Sequence, residues 1–150
     1  MRQMMIGSLA LATLFVLQAQ AQDKAAKDQF KETWTVVSEE KNGKLETADA
    51  ARGRQVRITE DMITCMNKTG GTEMAARFHA DTSKKPVHLD LTYTEGEHKG
   101  QKAKAIAEVS GDTLRLSVAE PNAEAPTDFR AKDHQCTFTL KRSEKSGGGR

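Results

Sequence analysis

Asp81-Thr82-Ser83-Lys84-Lys85-Pro86, followed by Val87-His88-Leu89-Asp90-Leu91, is a polar turn running into a strand that alternates apolar and polar residues. Folding it back on the segment before it, with the turn centred between Ser83 and Lys84, sets a register. Ala80 then faces Val87, His79 faces His88, Phe78 faces Leu89, Arg77 faces Asp90, Ala76 faces Leu91 and Met74 faces Tyr93. Side chains alternate between the two faces of a strand, so this pairing collects Met74, Ala76, Phe78, Ala80, Val87, Leu89, Leu91 and Tyr93 on one apolar face. The opposite face is polar and holds an expected Arg77–Asp90 ion pair. That pair is exposed and contributes well under about 1 kcal/mol.

The same alternation recurs along the chain. Strands are predicted near 33–40, 54–59, 62–67, 73–80, 87–94, 102–109, 113–119 and 134–142. Asn42-Gly43, Gly70-Gly71 and Gly111-Asp112 supply turn chemistry, because Gly and Asn tolerate positive φ. A turn centred at Thr69–Gly70 pairs Cys65 with Met74 and Ile63 with Ala76. One centred at Gly111–Asp112 pairs Val109 with Leu114, Ala107 with Leu116 and Ala105 with Val118. Trp34 and Val36 on the first strand, and Phe138 and Leu140 on the last, face the same interior. Short helices are expected at 24–31 and 47–52. No long amphipathic helix separates the strands, so a parallel sheet is excluded in favour of sequential antiparallel strands. Such strands must close to protect their edges, and the simplest closure is an up-and-down barrel. The predicted fold is therefore all-β, an antiparallel up-and-down barrel of about eight strands with a short N-terminal helical segment.

The first 21 residues read as a leader. Arg2 gives a positive start, Leu9 to Leu17 is apolar, and Ala19-Gln20-Ala21 has the small–x–small cleavage pattern. The apolar run falls short of the roughly 20 residues of a membrane span. No Cys follows it to carry a lipid. The expected organisation is a signal peptide over 1–21, a barrel domain over 22–142 and a flexible tail over 143–150. The product is an exported monomer, periplasmic or extracellular, with no stable membrane insertion after cleavage. Arg2 is the only charged residue of the leader, so the formal net charge of +2 becomes +1 on cleavage. That balance leaves no electrostatic footprint for nucleic acid.

Together these residues resemble an uncharacterised family of short secreted lipocalin-like domains, abundant in planctomycete bacteria. The resemblance rests on Trp34-x-Val36-Val37 with Asn42-Gly43-Lys44, and on Asp81-x-x-Lys84-Lys85-Pro86 with Leu89-Asp90-Leu91. It continues through Gly96 and Gly100, Gly111-Asp112-x-Leu114-x-Leu116, and Pro126-x-x-Phe129 with Lys141-Arg142. It spans essentially the whole chain after the leader. The chain departs from the family pattern at Glu32, where Gly is frequent, and at Ala107, Ser117 and Ala125, where Tyr, Cys and Arg are frequent. The resemblance implies a lipocalin-like barrel and export, and no agreed catalytic residues.

Candidate sites are few. Cys65 and Cys136 are the only cysteines. In an oxidising compartment they are either a disulfide, with an ideal stabilisation on the order of 4 kcal/mol, or two buried thiols acting as small apolar side chains. A bridge needs Cα atoms within about 7 Å, and the simple barrel order places two strands between them. His79 and His88 would face each other outside the barrel, two ligands where a zinc site needs three or four. Their joint protonation would weaken the hairpin by like-charge repulsion. Lys99, Lys102 and Lys104 form a basic run that the neighbouring Glu95, Glu97 and Glu108 mark as a solvated edge. No motif frames a nucleophilic Ser, and no phosphate loop or cofactor fingerprint is present, so neither an enzyme nor a cofactor is expected.

The sequence thus predicts a barrel interior lined or plugged by Trp34, Phe78, Leu89, Leu91, Tyr93, Leu116 and Phe138. Either these side chains surround a small hydrophobic or amphipathic molecule, or they fill the barrel. In the second case the outer surface binds an envelope protein or a glycan. A carrier for a drug-sized ligand needs a cavity of about 300 Å³ or more.

Overall fold

The computed structural model describes residues 24–144. The expected leader and the expected tail from 145 onward lie outside the described residues. The chain forms nine strands among the described residues: β1 Thr33–Lys41, β2 Lys44–Leu45, β3 Gln55–Ile58, β4 Met62–Met66, β5 Thr72–Asp81, β6 Val87–Glu95, β7 Lys102–Ser110, β8 Thr113–Ala119 and β9 Gln135–Arg142. All pairings are antiparallel. Neighbours follow the chain from β3 to β9, and β1 closes the circle by pairing with both β3 and β9. The result is the expected closed eight-stranded lipocalin-like barrel. β2 is an added ninth strand, a hairpin extension of β1 made by the Asn42-Gly43 turn, both residues at positive φ.

Helix is scarce among the described residues. Residues 24–28 are helical, and α1 spans Ala48–Ala51, inside the expected 47–52. Thr47 starts α1, with its carbonyl accepting from the Ala51 N–H at 3.2 Å, and Asp49 places a carboxylate in the first turn. Gly53, at φ +84°, ends the segment in the left-handed conformation that glycine adopts without strain.

Two hairpin registers agree with the sequence reading. Cys65 faces Met74 and Ile63 faces Ala76 across β4–β5. Val109, Ala107 and Ala105 face Leu114, Leu116 and Val118 across β7–β8. The β5–β6 hairpin differs by two residues. Ala80 faces Leu89, Phe78 faces Leu91 and Ala76 faces Tyr93. The cause lies in Asp81, which stays on the strand opposite His88. Its carboxylate accepts from the Ser83 N–H at 3.1 Å and from the Ser83 hydroxyl at 2.5 Å, so the turn is built beyond it. A shift of two preserves which face each residue occupies but changes every partner. The expected Arg77–Asp90 pair is therefore absent: Arg77 bonds Asp61 at 3.1 Å, and Asp90 pairs with Lys104. His79 faces Asp90 rather than His88. Each imidazole thus stands across from a carboxylate, which removes the basis for like-charge weakening of the hairpin.

The barrel has one closed and one open end. At the closed end lie the short turns and the residues before β1. Trp34, fully buried, donates from Nε1 to the Phe30 carbonyl at 3.0 Å, and Phe30 itself is buried in the core. Arg142 stacks its guanidinium 4.7 Å from the centre of the Trp34 ring and bonds Glu32 at 2.9 Å. Phe30, Phe78, Leu89, Ala107 and Leu114 pack here around a gap of only about 10 Å³. A second, smaller core lies outside the barrel. The 120–134 segment folds over β7–β9, burying Pro126 and Ala131 together with outward-facing Ile106 and Ser117. Thr137 donates to Ser117 there at 2.9 Å, and Arg115 covers the Phe129 ring at 4.3 Å. Ser117 is thus a satisfied buried polar group.

Candidate functional site at the barrel mouth

The strand alternation of β1 breaks at a bulge between Val36 and Ser38. The bulge inserts a residue and reverses the parity of the rest of the strand. Glu39 therefore faces Phe138 and Lys41 faces Cys136, so a polar stretch that reads as exterior enters the upper interior. Glu39 is only 14% exposed at its side chain. Burying a carboxylate requires a partner, and Arg54 supplies it at 2.6 Å. Arg54 precedes β3, a strand of four residues whose first partner, Thr35, lies well below Glu39. The wall is low at that point. The Arg54 side chain spans it, reaching Glu39 on β1 and Glu73 on β5 at 3.3 Å. Burial opposes the guanidinium's charge, but the two carboxylates outweigh it and raise its pKa.

Beside this triad stand the two cysteines. Cys65 and Cys136, the candidate disulfide pair, are half-buried free thiols, on β4 and β9 with β3 and β1 between them. Cys136 Sγ donates to Glu39 Oε1 at 3.3 Å. Burial pushes the Cys65 thiol up to about 11, with Arg54 opposing and Glu73 and Glu39 adding to the rise. Burial first, then Glu39, pushes Cys136 up to about 12. Thiols held protonated this far above neutrality are poor nucleophiles.

The remaining space has two parts. A slot of about 30 Å³ lies among Val56, Ile63, Ala76, Leu91, Leu116 and Arg54. Above it a cleft of about 280 Å³ opens outward between Lys41, Glu73, Tyr93, His98, Glu120 and Cys136. Met74, Val118 and Phe138 line both, so the slot is the floor of the cleft. Tyr93 and His98 lie with ring centres 5.6 Å apart, and His98 Nδ1 stands 3.1 Å from the Gln101 amide oxygen, to which it donates in the protonated-Nδ1 form. The 96–101 loop that carries His98 depends on Gly96. Its φ is +98°, and a Cβ there would stand 2.8 Å from the Glu73 carbonyl oxygen. Gly96→Ala is expected to cost about 1–3 kcal/mol through backbone strain and to displace Glu73; urea unfolding measures the first and amide NMR shifts at Glu73 the second.

The sequence-nominated interior residues divide between the ends. Trp34, Phe78 and Leu89 pack the closed end. Leu91, Leu116 and Phe138 surround the slot, and Tyr93 with Phe138 reaches the mouth. Alternation alone does not find Glu39, because a bulge turns it inward; the expected strand 54–59 puts Arg54 on the inward face with Val56 and Ile58, but gives no sign of its carboxylate partners. The paired apolar residues Val36-Val37 inside an alternating run are the only signal of that bulge.

Elsewhere, a polar groove of about 420 Å³ lies on the outer face along β6 and β7, lined by Asp90, Lys102, Lys104 and Asn122. Its central charges already pair. Among the described residues no group of three or more His, Cys, Asp or Glu side chains is placed to hold a metal ion, and no helix is long and apolar enough to cross a membrane.

A closed antiparallel barrel, plugged at one end and open over a partly polar cleft at the other, defines the class: a small lipocalin-like barrel. No family model matches the chain, nor does any curated protein or solved structure.

Proposed function

We propose that this protein is an exported, non-catalytic binding domain that holds a small amphipathic molecule at the open mouth of its barrel. The cleft of about 280 Å³ over an apolar floor carries the reading. It approaches the size of small-molecule sites, which pair apolar walls with a few placed polar groups. The slot beneath holds only about 30 Å³, so the deep interior offers room for little more than the tip of a ligand. Export rests on Arg2, the Leu9–Leu17 run and Ala19-Gln20-Ala21. Membership of the secreted planctomycete-rich family rests on the motifs that run from Trp34 to Arg142.

The tight packing below the slot supports a second reading, an interaction module that binds an envelope protein or glycan through its outer surface. Native mass spectrometry of gently purified protein separates the two. The carrier reading expects an adduct that denaturation releases. It also expects Ala76→Leu, which fills the slot, to weaken that adduct while costing about 1–3 kcal/mol by overpacking. A bare protein under the same conditions favours the module.

A further inference from the structure

Resting on the mouth as the binding site, we propose that its ligand is a cationic amphiphile: an amine or guanidinium head on a short apolar tail. The argument begins with Arg54. Lipid-like anions would seek a guanidinium at this position, but Arg54 already bonds Glu39 at 2.6 Å and Glu73 at 3.3 Å. An entering carboxylate would have to displace one of them, and Glu39 would then lose its charge partner while only 14% exposed.

Charge balance points the same way. Glu73, Glu97 and Glu120 line the cleft and Glu39 stands behind them on Arg54 and Cys136, against Arg54 and Lys41. Four negative and two positive charges leave a formal −2, in a chain whose overall formal charge is +2. Glu120 accepts from His134 at 2.9 Å and Glu73 from Arg54 at 3.3 Å, so Glu97 is the cleft carboxylate without an ion pair among the described residues, and it shares the cleft lining with Tyr93. A concave site with low-dielectric walls focuses such a field and concentrates ions of opposite sign.

The walls suit the rest of the ligand. Tyr93 presents an aromatic ring to a cation, and Met74, Val118 and Phe138 form an apolar floor for a tail. The slot below admits only the tail's end. Head and tail therefore lie along one path, from the Glu73–Glu97 rim to the Phe138 floor.

Isothermal titration at low salt with 4-phenylbutylamine, 4-phenylbutanol and 4-phenylbutyrate tests the proposal, because the three differ mainly in head-group charge. The amine should bind at least about tenfold tighter than the carboxylate, with the alcohol between them. That preference should shrink as salt rises. Glu97→Gln changes an exposed side chain and should reduce the amine's advantage severalfold without altering stability. Glu73→Gln, by releasing one arm of Arg54, should raise carboxylate affinity. Equal affinity for the three, or preference for the carboxylate, overturns the cationic class and leaves the mouth as the site. Failure of all three to bind overturns the mouth reading as well.

Discussion

Replacing Trp34 by alanine is expected to remove about 3–5 kcal/mol of stability, the range for deleting a large buried aromatic. The side chain is fully buried at the closed end. Its loss opens a cavity, leaves the Phe30 carbonyl without the Nε1–H donor, and takes away the ring on which Arg142 stacks. Domains of this size are stable by about 5–15 kcal/mol, so the variant should unfold at much lower urea or be partly unfolded without it. Trp34→Phe retains most of the packing but not the hydrogen bond and should recover most of the loss. A cost below about 1 kcal/mol for the alanine variant would mean that this end of the barrel is not packed as described.

The second large effect is alkaline. Both thiols ionise near 9.0 when unfolded, but in the folded protein they hold their protons to about 11 and about 12. Between those values the unfolded chain has shed protons that the folded one retains, so stability falls as pH rises above about 9 and levels off above the folded values. With neither thiol fully buried, the combined loss by pH 11 should be on the order of 3 kcal/mol. Tyr93, whose pKa burial raises, also ionises at alkaline pH, so the relevant quantity is the difference between the parent and a Cys65→Ala/Cys136→Ala variant, measured by urea unfolding in reductant. The parent should lose more. Identical losses would contradict the buried-thiol account, and an intact mass two hydrogens light would show that the cysteines had bridged.

Much of the barrel was legible in the sequence because strand alternation and turn residues are local signals. Thr69–Gly70 and Gly111–Asp112 mark their turn centres directly, and both registers result from them. The Asp81–Pro86 turn is longer, and its centre depends on a side-chain bond from Ser83 to Asp81 that composition does not reveal. The face assignment survived there because the error was an even number of residues; the cross-strand ion pair did not. Ser117 and Thr137 were invisible as buried groups, since they are buried by a loop arriving from 120–134. The mouth was the least legible region. Its charged centre joins Glu39, Arg54 and Glu73 from β1, the segment before β3, and β5. Only the bulge after Val36 and the shortness of β3 bring them together.

Amide and indole NMR shifts during titration with 4-phenylbutylamine test the central claim most directly. The account predicts perturbations at Glu73, Tyr93, His98 and Phe138, with the Trp34 indole at the closed end unmoved. Shifts confined to the outer groove around Asp90 and Lys104, or at Trp34 without the mouth, would contradict it.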